Sequence, residues 1–191
     1  WHPKAVMPRE EYIINTFNKQ FNQIVTTAKN GMNTDSSFIC AIDVSLSMTS
    51  KTNGTNFSAY QVALSMALYF SELLTGQFHN QFIQFSTKAK LSSFKGGTPI
   101  EKLTNFTPDD MGSTNFLAVA EIFANLKKIG IDEDLLPKGV ICISDGEFDR
   151  SGNDTNFHQF MRILRNAGFS DEFISNFKIV LWDIPNKYYG E

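Results

Sequence analysis

With 191 residues, 42% of them hydrophobic and 19% charged, the chain is long enough for one domain with a substantial buried core. Its net charge of −3 and pI near 5.6 leave no surplus of positive charge for a phosphate backbone, which argues against direct nucleic-acid binding. No apolar run approaches the ~20 residues that span a bilayer, and no signal-peptide pattern stands at the start. The chain opens Trp1-His2-Pro3, without an initiator Met, so we read it as a piece of a longer, cytoplasmic protein.

Over residues 9–30, Ile13, Ile14, Phe17, Phe21, Ile24, Val25 and Ala28 recur three or four apart, with Glu10 and Glu11 in the first turn and Gly31 as a stop. This spacing predicts an amphipathic helix packed on one face of a sheet, and we assign residues 1–34 to it and 35–191 to the main domain. Phe38 to Ile42 is an apolar run without alternation, as in a strand covered on both faces. A polar connection leads to a helix over about 58–75, with Val62, Ala63, Met66, Phe70, Leu73 and Leu74 on its inner side. A strand over 78–86 and a short edge strand over 90–94 follow; the lysines of the latter discourage edge pairing.

Between Pro99 and Pro108 only one helical turn is expected, over 100–103. Gly112-Ser113-Thr114-Asn115 then opens a helix over 116–129 whose core face is Phe116, Val119, Ala120, Phe123 and Leu126. Val140 to Ser144 is another buried strand and breaks into Asp145-Gly146-Glu147-Phe148-Asp149. Asp154 or Thr155 caps a helix carrying Phe157, Phe160, Met161 and Leu164; a short helix over 171–175 and a strand over 177–182 end in Asp183. Alternation of strands and helices, each long strand ending in a polar loop, predicts a doubly wound, mostly parallel α/β sheet with helices on both faces.

In such a sheet ligands bind beyond the carboxyl ends of the strands. There the chain offers Asp43, Ser45 and Ser47 after the first strand, Thr114 at a helix start, and Asp145 after a later strand. Oxygen donors of this kind suit a small hard cation, and the absence of His or Cys among them argues against Zn²⁺. Taken singly, each of these residues is an ordinary turn or cap residue. Cys40 and Cys142, each inside an apolar run, read as buried free thiols. His2, His79 and His158 are scattered and have no nucleophile beside them. The Asn-x-Thr sequons at Asn53, Asn105 and Asn153 are accidents of an Asn- and Thr-rich chain.

Asp43-x-Ser45-x-Ser47, Thr114 preceded by Gly112, and Ser144-Asp145-Gly146 after an apolar strand resemble the metal-ion-dependent adhesion site of von Willebrand factor A (vWA) domains, over about residues 35–184. The stretches 144–149 and 179–183 are similar to the intracellular branch found at the carboxyl end of Ro-type (TROVE) RNA-binding proteins and related helical-repeat proteins. The resemblance implies a Rossmann-like vWA fold with direct coordination of Mg²⁺, replaceable by Mn²⁺ or Ca²⁺, by Ser45, Ser47 and Thr114. Asp43 and Asp145 would act largely through bound water. It also implies a non-catalytic protein-binding module, the C-terminal domain of a Ro-like ribonucleoprotein or scaffold. The partner would supply an acidic side chain, and RNA would be reached only through a missing neighbouring domain.

Leu46 and Ser113 depart from that pattern, where many relatives have Gly; strand-like alternation would point Leu46 away from Ser45 and Ser47. Glu147 and Asp149 add charge near the rim, through turn solvation or helix capping or through metal tuning or partner recognition, and Asp183 either caps or solvates a strand end or joins the site. Two other readings are a Mg²⁺-dependent phosphatase of the haloacid-dehalogenase type and an extracellular adhesion domain. The first needs an acid/base Asp two residues after the nucleophile, and position 45 is Ser.

Overall fold

The computed structural model describes residues 9–31, 37–52, 54–146 and 155–185. Strands β1 (Phe38–Asp43), β2 (Gln81–Phe85), β3 (Ala89–Ser93), β4 (Gly139–Ser144) and β5 (Lys178–Asp183) form one sheet in the order β3-β2-β1-β4-β5. Only β3, at an edge, runs antiparallel to its neighbour. Helices α1 (Arg9–Gly31), α2 (Ala59–Leu73), α3 (Pro99–Thr104), α4 (Leu117–Lys128), α5 (Asn156–Asn166) and α6 (Asp171–Asn176) flank it. The α/β alternation expected from the sequence is therefore present. Among the described residues no helix is long and apolar enough to cross a membrane.

The unbroken apolar run of β1 follows from burial on both sides. Ile39 and Ala41 enter one core with Phe85, Val119, Phe123, Val140 and Phe160, while Cys40 and Ile42 enter another with Ala63, Ala67, Phe82 and Ile143. Each fully buried aromatic contributes about 1.5–3 kcal/mol of transfer free energy, so Phe82, Phe85, Phe123 and Phe160 anchor both layers. Cys40 and Cys142 are free, wholly buried thiols in opposite cores, and burial pushes both thiols up.

Two expectations about helix faces are corrected. In α2, begun by a Ser58–Gln61 capping box, the residues against the sheet are Ala59, Ala63, Leu64, Ala67 and Leu68. Ala63 and Leu74 are buried as expected, whereas Val62, Met66 and Phe70 are only partly buried and share a cluster with Phe21 of α1. Small alanines bring α2 close to the sheet, and its larger side chains fill the flank under α1. Helix α1 consequently does not lie on the sheet: it packs on α2 and α3, buries only Val25, and leaves Tyr12, Ile13 and Ile24 more than half exposed. Asn18 Oδ1 accepts the backbone N–H of Ile100 at 3.1 Å, tying α1 to the first turn of α3.

Of the apolar residues that α5 carries, Phe157 is exposed on the first turn. The inward face of that amphipathic helix is completed instead by Phe160, Met161 and Leu164.

Candidate metal centre

Asp43 ends β1 paired with Phe85 of β2, and Ile42 is paired with Ile143 of β4, so Ser144 closes β4 at the level of Asp43. Beyond this level the chain leaves β1 for α2 in one core and β4 for α5 in the other. This carboxyl end, between β1 and β4, is the place at which doubly wound sheets bind ligands.

Asp43 is wholly buried at this end of the sheet. Its Oδ1 accepts the Ser45 backbone N–H at 2.8 Å; its Oδ2 accepts the Ser144 hydroxyl at 2.7 Å and the Thr114 hydroxyl at 3.2 Å. Desolvation raises its pKa, hydrogen bonds from Ser45 and Ser144 oppose the rise, and the charge of Asp145 adds to it. Two carboxylates thus meet where water is largely excluded.

The loop after β1 explains which donors face inward. Residues 46–49 form a 3₁₀ turn, with Met48 N–H on the Ser45 carbonyl at 3.2 Å and Ser50 N–H on the Ser47 carbonyl at 3.0 Å. Met48 plugs the core beneath, Ser45 and Ser47 hydroxyls lie 3.1 Å apart, and Leu46 is 66% exposed. Leu46 points away from the serines, as expected, but because of this turn and not through strand alternation.

Thr114 is carried by an irregular segment fastened to the end of β2. Asn115 N–H donates to the Ser86 carbonyl at 2.9 Å, and the Ser86 hydroxyl donates to Asp110 Oδ2 at 2.9 Å. At Gly112 an added Cβ would stand 2.0 Å from Thr87 Oγ1, so only glycine permits this approach. Asp145, buried, follows Ser144. Gly146 adopts φ +80° and turns its α-carbon to Asp183, whose Oδ1 would lie 3.2 Å from an added Cβ.

The structure therefore brings Asp43, Ser45, Ser47, Thr114 and Asp145 to one end of the sheet. Asp183, exposed, stands on the rim beside Gly146; Glu147 and Asp149 lie outside the described residues. Sequence reasoning did not assign a role to Ser144, which orients Asp43 and accepts the Gly146 N–H at 3.2 Å. Its signal was available: a hydroxyl closing an otherwise apolar strand, in register with Asp43. His79 is exposed, its Nδ1 3.0 Å from the Leu74 carbonyl oxygen and its Nε2 3.9 Å from Glu72 Oε2. His158 is exposed on α5; His2, Asn53 and Asn153 lie outside the described residues.

Among the described residues no three His, Cys, Asp or Glu side chains gather where they could hold a metal. Any cation here would rest on two carboxylates and on neutral hydroxyls. That donor set fits a hard ion that keeps part of its hydration, such as Mg²⁺, and does not fit Zn²⁺. The mutual repulsion of Asp43 and Asp145 is what a dication would relieve.

The comparison with protein families corrects the resemblance drawn from the sequence. The family model that matches is not that of vWA domains, and the placement beside Ro-type proteins falls with it. The physical reason is that an Asp-x-Ser-x-Ser loop, a later Thr and an Asp after a strand belong to a site, and unrelated sheets can present the same site. No curated protein matches the chain. Residues 36–189 match the model described as "Domain of unknown function (DUF7788)", and the chain belongs to that family.

Proposed function

We propose that the protein is a non-catalytic, divalent-cation-dependent protein-binding module. The observation that carries this reading is the convergence of the Ser45 N–H and the Thr114 and Ser144 hydroxyls on one buried carboxylate, Asp43, with a second carboxylate at Asp145. Asp43 and Asp145 supply the charge that holds Mg²⁺, with Mn²⁺ or Ca²⁺ as substitutes, and Ser45, Ser47 and Thr114 supply neutral oxygens. Neutral donors leave the dication electrophilic, so it attracts an acidic side chain of a protein partner.

Hydrolysis of a phosphate ester has no support in the site, since the position two residues after Asp43 is Ser45 and offers no acid/base group. The free thiols of Cys40 and Cys142 suit an intracellular setting. A short Gly/Ser peptide carrying one Asp is the test ligand. It binds in Mg²⁺, is released by EDTA and fails to bind Asp145→Ala; binding indifferent to EDTA would contradict the reading.

A further inference from the structure

Beside the candidate metal centre the hairpin of β2 and β3 and the segment over 105–110 enclose two adjoining cavities, of about 300 and 410 Å³, which share Gln84, Lys90 and Asp109. The first reaches Val44, which stands between Asp43 and Ser45, and Ser86, whose carbonyl holds the residue next to Thr114. The two cavities therefore form one groove that starts at the rim of the cation site and runs along the sheet edge.

The charges in this groove are not equally engaged. Asp109 is occupied by Lys90 at 2.5 Å and by Gln84, and Asp110 by the Ser86 hydroxyl. Gln84, buried at the floor, is satisfied by Ser92 at 2.8 Å and by the Asp109 N–H at 3.3 Å. Lys88 in the first cavity and Lys95 in the second are exposed and have no ion-pair partner among the described residues. What the groove has left to offer a ligand is positive charge at two successive points, set in polar walls of Ser92, Asn105 and Thr107.

We infer that this groove receives the acidic continuation of the partner's chain. The ligand is an extended peptide whose first carboxylate meets the cation and whose following acidic side chains meet Lys88 and then Lys95. This rests on the cation reading above for its first contact only. A net charge of −3 leaves the domain without the broad basic surface that a continuous phosphate backbone needs, whereas two spaced lysines match the spaced carboxylates of a peptide, which is why an acidic peptide and not RNA is the occupant. Exposed ion pairs are individually weak, so the two lysines together should add roughly three- to tenfold in affinity at low ionic strength.

The experiment compares fluorescence anisotropy of three probes at low ionic strength: the Gly/Ser peptide with one Asp, the same peptide with Glu residues added after that Asp, and a short oligouridylate. The protein is tested as wild type, as Lys88→Glu/Lys95→Glu, and as Lys88→Arg/Lys95→Arg, with thermal melts to confirm folding. In Mg²⁺ the multiply acidic peptide binds more tightly than the single-Asp peptide. That gain disappears in the Glu variant, survives in the Arg variant, and leaves single-Asp binding unchanged. A gain that persists in the Glu variant, or oligouridylate binding that depends on the same lysines, would overturn the groove and leave the cation reading intact. A lysine-dependent gain insensitive to EDTA would uphold the groove and overturn the cation reading. Absence of binding by any peptide overturns both.

Discussion

Ser144→Ala isolates the hydrogen bond that orients Asp43. The Ser144 hydroxyl is buried and donates at 2.7 Å to a carboxylate that is itself wholly buried, so its removal leaves that oxygen with Thr114 at 3.2 Å alone. Hydrogen bonds to charged groups are worth ~1.5–3 kcal/mol. For a domain of this size each kcal/mol moves Tm by roughly 2–4 °C, giving a fall of roughly 3–12 °C.

The pH dependence identifies the partner. Asp43 has a raised folded pKa, so between the ordinary carboxylate value and that pKa the native state binds more protons than the unfolded chain. Cation-free stability therefore falls as pH rises through this window. Loss of the Ser144 donor removes a contact that favours the ionised form and pushes the folded pKa up further. The deficit of the variant is thus smallest at acidic pH, where the carboxyl is protonated, and grows as pH rises. Urea denaturation of both proteins across pH in EDTA measures it. A deficit that is independent of pH would refute the reasoning, because it would make Ser144 a packing residue and not a support for a buried charge.

Two further outcomes test other parts of the structure. Gly112→Ala forces a methyl against Thr87 and should cost about 1–3 kcal/mol, partly recovered in Gly112→Ala/Thr87→Ala, as read by thermal melts; no recovery would mean the strain lies elsewhere. Glu133 accepts Lys127 at 2.6 Å and both the N–H and hydroxyl of Ser170; although partial desolvation raises its pKa, these contacts pull it down to about 2. Its depressed pKa contributes stability above the unfolded value of ~4.3 that is lost as pH falls toward 2, so the deficit of Glu133→Gln should shrink on acidification. An equal deficit at every pH would contradict that assignment.

Much of the scaffold was legible in the sequence because its cause is local. Unbroken apolar runs ending in Asp43 and Ser144 mark strands covered on both faces, and glycines and caps mark where α2, α4 and α5 begin or stop. The meeting of Asp43 with Thr114, 71 residues away, was legible only through the rule that doubly wound sheets gather their loops at one end.

What was not legible depends on neighbours far along the chain. The outer position of α1 follows from α2 having already filled the sheet face, which periodicity within α1 cannot reveal. The inward face of α2 was misjudged because its alanines carry little hydrophobic signal, yet they are what allows close approach. The outward turn of Leu46 arises from a 3₁₀ turn where an extended loop was expected. Family membership was misread for a different reason: five residues specify the chemistry of a site and leave the ancestry of the sheet around it open.

The most direct measurement is a calorimetric titration of Mg²⁺ into the wild type, Asp43→Ala and Asp145→Ala, paired with melts in Mg²⁺ and in EDTA. A cation held between the two carboxylates gives wild-type heat and, at ~100-fold excess over Kd, about 2.7 kcal/mol of added stability, with neither in the variants. A Mg²⁺ response that is absent from the wild type, or equal in all three proteins, would contradict the account.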